Sequence, residues 1–196
     1  RGLTQVKITD EQQAKLVKAG VTSPAFSDLV NRVLGKPLNT GRPEAKDTEA
    51  WVKRLEGPAD ADAGRRIFEN GRVASCAKCH RVDGRGSNIG PDLSLIGRTD
   101  KKWIVESILQ PSAVVAPHYQ GWRIDTNDGR VLTGLLVHTI HDESYYVDAK
   151  GIRFKVEAKE VAEVSAARES IMPNDLLNGL TDQEIRDLVA YLASRK

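Results

Sequence analysis

Cysteine, methionine and a surplus of either charge are what this 196-residue sequence has least of: two Cys, one Met, and 29 basic against 27 acidic side chains for a net charge of +2. The two cysteines stand at 76 and 79, which excludes the multi-bridge disulfide framework of small secreted proteins. The near-balance of charge leaves no electrostatic footprint for nucleic acid or an anionic membrane, so neither is expected as a partner. No apolar run approaches the roughly 20 residues that span a bilayer, so no membrane span is expected in this segment. A glycine-rich dinucleotide fingerprint, a phosphate loop, an H-E-x-x-H signature, internal repeats and low-complexity tracts are all missing. The chain opens at Arg1 without the regions of a signal peptide, which suggests a mature or excised piece of a longer parent. What is present is ordinary for a folded protein, with 40% hydrophobic and 29% charged residues, and the length suits either one large domain or one domain with a small extra module.

Local signals divide the chain into a helical part, a strand-rich part and a closing helix. Thr9 and Gln12 form a capping box before Ala14, Leu16 and Val17, and Ser23 with Pro24 starts a second helical stripe through Phe26, Leu29, Val30 and Val33. Residues 36–47, with Pro37, Gly41 and Pro43, read as a linker or ordered loop. Asp47 caps a short helix carrying Trp51 and Leu55, and a further helix carries Ala63, Gly64, Ile67 and Phe68. Thr99 is expected to cap a helix with Ile104, Val105, Ile108 and Leu109, which Pro111 stops. From about Tyr119 the period shortens, and Trp122, Ile124, Val131, Leu135, Val137, Tyr145, Val147, Ile152, Phe154 and Val156 fall in strand-like runs. Asn127-Asp128-Gly129 and Asp148–Gly151 supply hairpin turns, giving a meander or small barrel. Thr181 and Glu184 then make a capping box ahead of Ile185, Leu188, Val189 and Leu192.

The chemistry concentrates in Cys76-Ala77-Lys78-Cys79-His80, which matches the C-x-x-C-H signature of c-type haem attachment. Two thiols at this spacing can each form a thioether to one haem vinyl group, and the following histidine then supplies an imidazole to the iron. Three other readings stand beside it. A thioredoxin-like redox pair needs an apolar strand feeding the motif, and residues 72–75 offer none. A zinc site would have to recruit His138 and His141 across an unusually long gap. A structural disulfide would close a small strained ring.

With the motif in hand, the flanking residues resemble class I cytochromes c. Gly64 and Phe68 resemble the positions that cross the C-terminal helix, where Leu188 and Tyr191 would meet them, and Ile89-Gly90-Pro91-Asp92-Leu93 resembles the loop whose proline carbonyl holds the proximal histidine. More narrowly, Trp51 to Leu192 resembles the planctomycete-type haem-binding domain. The resemblance implies a mainly α cytochrome c fold with an inserted β-rich lobe, α+β overall. Residues 1–47 would form an N-terminal helical segment and linker, and 48–196 a cytochrome domain interrupted by a β-rich insertion at 118–168. The spacing agrees, because Met172 lies 92 residues after His80, far more than a compact domain of about 100 residues leaves between its ligands.

The resemblance also implies one covalent haem c on Cys76 and Cys79, with His80 and Met172 as iron ligands and Pro91 orienting His80. Met172 is the only methionine and precedes Pro173 in the loop before the last helix; a thioether is a soft ligand that favours Fe(II). Arg98 and Trp103 are candidates for the haem propionates, beside the bland reading of a surface arginine and a core tryptophan. His118 is the rival sixth ligand, and Lys78, Arg81 and Arg85 are a candidate basic collar for an acidic redox partner. The function implied is transfer of single electrons to and from a redox partner protein, outside the cytoplasm in the periplasm or an equivalent compartment. The chain would then be no enzyme itself, though it can belong to a larger dehydrogenase-like protein. The alternative is a haem enzyme or a gas or redox sensor with an open or labile sixth position.

Overall fold

The structure is a computed structural model that describes residues 9–12, 14, 15, 18, 41–70 and 74–196. The expected helix from Ser23 to Val33 lies outside the described residues. The capping box at the start is present, with the Thr9 N–H donating to Gln12 Oε1 at 2.9 Å and the Gln12 N–H to Thr9 Oγ1 at 3.3 Å.

Among the described residues from 41 onward, four helices make the body: α1 (Thr48–Arg54), α2 (Ala61–Asn70), α3 (Lys101–Leu109) and α4 (Asp182–Ala193). Each begins where a short polar side chain can take up orphan amide groups. Asp47 accepts from Ala50 N–H, Asp60 Oδ1 from Asp62 and Ala63 N–H, and Thr181 exchanges bonds with Glu184 in a capping box. The start of α3 differs by one residue from expectation. Asp100, not Thr99, is the cap and accepts from Trp103 N–H at 2.6 Å, while Thr99 Oγ1 turns back to Ile96 O. A carboxylate at the helix start outcompetes a hydroxyl because it also meets the positive end of the helix dipole.

The central packing event is the crossing of α2 over α4. A Cβ built on Gly64 would stand 1.9 Å from the Asp187 carbonyl oxygen and 2.9 Å from Leu188 N, so only glycine allows the helices to approach this closely. One turn later Phe68, 1% exposed, meets Tyr191 with ring centroids 5.6 Å apart. The buried Asp187 carboxylate is satisfied by Asp60 N–H and Gln183 Nε2, each at 2.8 Å. Trp51, Leu55, Ile104, Val105, Ile185 and Leu188 complete one continuous core.

Between α3 and α4 lies an antiparallel sheet of β3 (Gly121–Thr126), β4 (Val131–Ile140), β5 (Glu143–Val147), β6 (Arg153–Glu157) and β7 (Val161–Ala166), in the order β6-β5-β4-β3-β7. The shorter β1 (Arg81–Val82) and β2 (Arg85–Gly86) form a separate hairpin beside the cysteine motif. Both expected turns join neighbouring strands, with Gly129 and Gly151 at positive φ. The two outermost strands, β6 and β7, are linked only by a 3₁₀ turn, Ala158–Glu160. Three such residues rise about 6 Å, whereas the outer strands of a flat five-stranded sheet would lie about 19 Å apart. The sheet therefore curls toward a barrel around Ile124, Tyr146 and Val156. The fold is α+β, and among the described residues no helix is long and apolar enough to cross a membrane.

Candidate functional site

Just before β1 a tight turn carries the cysteine motif. Ser75 sits in the left-handed region at φ 49° and starts a 3₁₀ turn, Cys76–Lys78. The N–H groups of Cys79 and His80 both return to Cys76 O, at 3.1 and 2.9 Å. This winding brings both thiols and the imidazole onto one short turn, which sequence spacing alone already required.

Both cysteines are free and partly buried. Burial pushes the Cys76 thiol up to about 11, with a smaller upward push from Cys79, and burial also raises Cys79 against the opposing charge of Lys78. A reactive redox pair needs the reverse, a thiolate stabilised by its surroundings. The zinc reading finds no support either: among the described residues no group of three or more His, Cys, Asp and Glu side chains comes together. His138 instead stacks on Tyr145 at 4.6 Å, and His141 occupies the β4–β5 turn with φ 52°.

His80 is oriented by the loop that follows it. Its Nδ1 lies 2.9 Å from Pro91 O. A carbonyl oxygen can only accept, so Nδ1 carries the hydrogen and the lone pair of the neutral ring stands on Nε2. Burial lowers the His80 pKa, against the opposing pull of the Pro91 hydrogen bond, and so favours the neutral ring. The loop is stitched to the motif by Gly90 N–H to Cys79 O at 2.7 Å, Ser87 N–H to His80 O at 3.2 Å and Leu93 N–H to Arg81 O at 2.8 Å.

Two glycines make this approach possible. A Cβ on Gly90 would lie 2.7 Å from His80 Cε1 and 2.9 Å from Nδ1, and one on Gly86, at φ +107°, would lie 2.1 Å from His80 O. Sequence reading did not assign either a role. Gly86 closes the β1–β2 hairpin through Asp83 and Gly84, both at positive φ, and the Asp-Gly pair between Val82 and Arg85 was a hairpin signal available in the sequence.

The remaining candidates are dispersed. Arg98 is the exposed end of a 3₁₀ turn, Ile96–Arg98, whose buried Gly97 donates its N–H to Arg195 O at 2.7 Å just beyond α4. Trp103 is 46% exposed on the first turn of α3, which corrects the reading of a core tryptophan. Its helix buries Ile104 and Val105 instead. Met172 is partly buried in the loop between β7 and α4; its N–H donates to Ser170 Oγ at 3.2 Å, and Ser170 N–H donates to Ser112 Oγ at 3.0 Å. His118 lies in the 3₁₀ turn Pro117–Tyr119 and, with Ile89, lines a cleft of about 420 Å³ between the Pro91 loop and the sheet.

The site fits a covalently held haem on two grounds visible in the chain: two neutral thiols on one turn, and beside them an imidazole whose Nε2 keeps the lone pair that iron would take. No curated protein matches the chain. Residues 61–126 match the family model described as Cytochrome c, a stretch that holds α2, the cysteine turn, the Pro91 loop, α3 and β3. The segment around Cys76, Cys79 and His80 is thus similar to cytochrome c, and the match supports a haem-binding c-type cytochrome.

Proposed function

We propose that the chain carries one haem c on Cys76 and Cys79, ligated by His80 and Met172, and passes single electrons between a donor and an acceptor protein. The observation that carries this reading is the Nδ1–H of His80 donated to Pro91 O at 2.9 Å. It leaves Nε2 as the basic nitrogen and holds the ring in one rotation, as a metal-binding imidazole requires. The bound iron would supply a one-electron Fe(III)/Fe(II) couple. The protein's part is to anchor, orient and shield. Cys76 and Cys79 tether, Gly90 lets Pro91 reach the ring, and the α2–α4 crossing makes the frame rigid. Arg98 and Trp103, both exposed, are proposed to meet the propionates. No bond-making step is assigned to any residue, in keeping with an electron carrier.

The family match ends at residue 126, before Met172 and α4, yet α4 packs directly on α2 inside the matched stretch. This packing supports a cytochrome unit spanning 48–196 with the β-rich segment 118–168 as an insertion; the planctomycete type and a place of work outside the cytoplasm belong to the same proposal. The test is an optical spectrum of oxidised and reduced protein, combined with acid-acetone extraction. Haem that stays with the polypeptide, with a sulfur-to-iron band at the red end of the oxidised spectrum, is the expected result. Extractable haem removes the thioethers from the reading. A missing sulfur band that Met172→Ala leaves unchanged removes Met172 and promotes His118.

A further inference from the structure

Arg42 lies outside the stretch that matches cytochrome c and among the residues that the sequence reading assigns to a linker, yet its side chain is only 5% exposed. Its guanidinium spends its donors on one target. Nε donates to Asp182 Oδ1 at 2.9 Å, Nη1 to Leu177 O at 3.1 Å and Nη2 to Leu180 O at 2.5 Å. Asp182 opens α4, and Leu177 and Leu180 belong to the loop that runs from Met172 into that helix. The plane of the guanidinium rests near the Trp51 ring, 5.7 Å from its centre.

The arginine is itself held on a built platform. Arg54 donates through Nη1 to Gly41 O at 3.0 Å and through Nε to the second Asp182 oxygen at 2.6 Å, and Trp51 Nε1 donates to Pro43 O at 3.1 Å. Residues 41–43 are therefore fastened to α1, and Arg42 carries that rigidity across to the loop. At its other end the loop is fastened by the Ser170 N–H to Ser112 Oγ bond. Met172 stands between these two anchors, two residues from one and five from the other.

We infer that Arg42 is a positioning residue for the Met172 loop: by holding Leu177 O, Leu180 O and Asp182 together it keeps the thioether presented to the iron. This rests on the proposal that Met172 is the sixth ligand. Loop carbonyls have no helical partner, and a planar fork with fixed donor directions can bridge two of them and a carboxylate at once, which a lysine ammonium on a flexible stem does poorly. Without the clamp the loop gains an open population, and the apparent affinity of any competing iron ligand rises in proportion to that population.

The experiment uses the haem-loaded full chain and compares wild type, Arg42→Ala, Arg42→Lys, Met172→Ala and the Arg42→Ala/Met172→Ala pair. The probes are the sulfur-to-iron band of the oxidised form and carbon monoxide binding to the reduced form. Arg42→Ala is expected to weaken the band and raise the apparent carbon monoxide affinity about tenfold, with Arg42→Lys between it and wild type. In the Met172→Ala background Arg42→Ala should add nothing, since no thioether remains to be held. Unchanged band and affinity in both Arg42 variants, with the band abolished in Met172→Ala, would overturn the clamp and leave the ligand standing. A band and carbon monoxide response indifferent to Met172→Ala would overturn ligand and clamp together. If Arg42→Ala fails to fold, Arg42→Lys decides: a wild-type band and affinity in a protein of lowered melting temperature would make Arg42 merely structural.

Discussion

Among the described residues, fifteen buried ones from Trp51 to Leu192 close the helical body, drawn from the four helices, β1 and the loops between them, whereas the curled sheet closes around three, Ile124, Tyr146 and Val156. The body's contacts join residues far apart in the chain, as Phe68 and Tyr191 do. The sheet's contacts are mostly local, because β3 to β6 pair each with the next and the ladder carries the order. Side-chain fit governs the first region and turn chemistry with backbone pairing the second. The body should therefore be intolerant of added volume and the sheet forgiving of small losses.

The largest effect is expected at the α2–α4 crossing. Gly64→Ala places a methyl within 1.9 Å of a backbone oxygen, and overpacking against backbone costs about 3 kcal/mol or more. Thermal melts should show the helical transition fall while strand amides keep their hydrogen-exchange protection. Joint loss of both would break the contrast between the two regions.

A smaller and more local effect is expected at Gly90. Its methyl would press on the His80 ring, displacing it from Pro91 at a cost of about 1–3 kcal/mol. The haem-loaded variant should show an altered absorption spectrum with α2 and α4 protection intact; an unaltered spectrum would mean the ring tolerates a methyl there. In the sheet, Ile124→Val removes one buried methylene from the small core and should cost about 0.5–1.5 kcal/mol. A denaturant midpoint that moves as far as for Gly64→Ala would show the sheet to be as tightly fitted as the body.

The smallest effect concerns the β3–β4 turn. Thr126 Oγ1–H and then Arg130 hold the Asp128 carboxyl at about 2, below its usual 3.8. Because the folded value is the lower one, the stabilisation is fully present above about 3.8 and disappears as pH falls through about 2. Full exposure keeps the contribution small. Carboxyl NMR should find the Asp128 midpoint below the ordinary aspartate value of 3.8, and Asp128→Asn should flatten the acid limb of the turn's stability.

The sequence disclosed what is local. Capping at Asp47 and Thr181, the turns at Gly129 and Gly151 and the cysteine turn are all decided within five residues, and the structure has them where they were expected. Thr99 and Asp100 are both competent caps, so the one-residue shift at α3 was not decidable from residue type. β7 is not legible in the sequence because this edge strand exposes Ala162, Glu163 and Val164 in succession, and such a run shows little inward alternation. Gly90 against His80 and Arg42 against Leu177 and Leu180 depend on where distant segments come to rest, a matter of tertiary packing that no spacing rule encodes. The Asp83-Gly84 hairpin is different, since an Asp-Gly pair between Val82 and Arg85 is a local signal.

One feature of the sheet bears on how the chain closes on itself. β3 and β7 are paired along their length, and Ala167 N–H donates to Gly121 O at 2.8 Å. The points where the chain enters and leaves the strands are therefore neighbours. For α3 and α4 the strand region counts as no more than the β3–β7 pair, and the entropy of bringing those helices together is set by residues 110–120 and 167–181 outside it, not by the length folded within it. Material could be added to the outer turns of the sheet, or removed from them, without changing the distance that the helical body has to bridge.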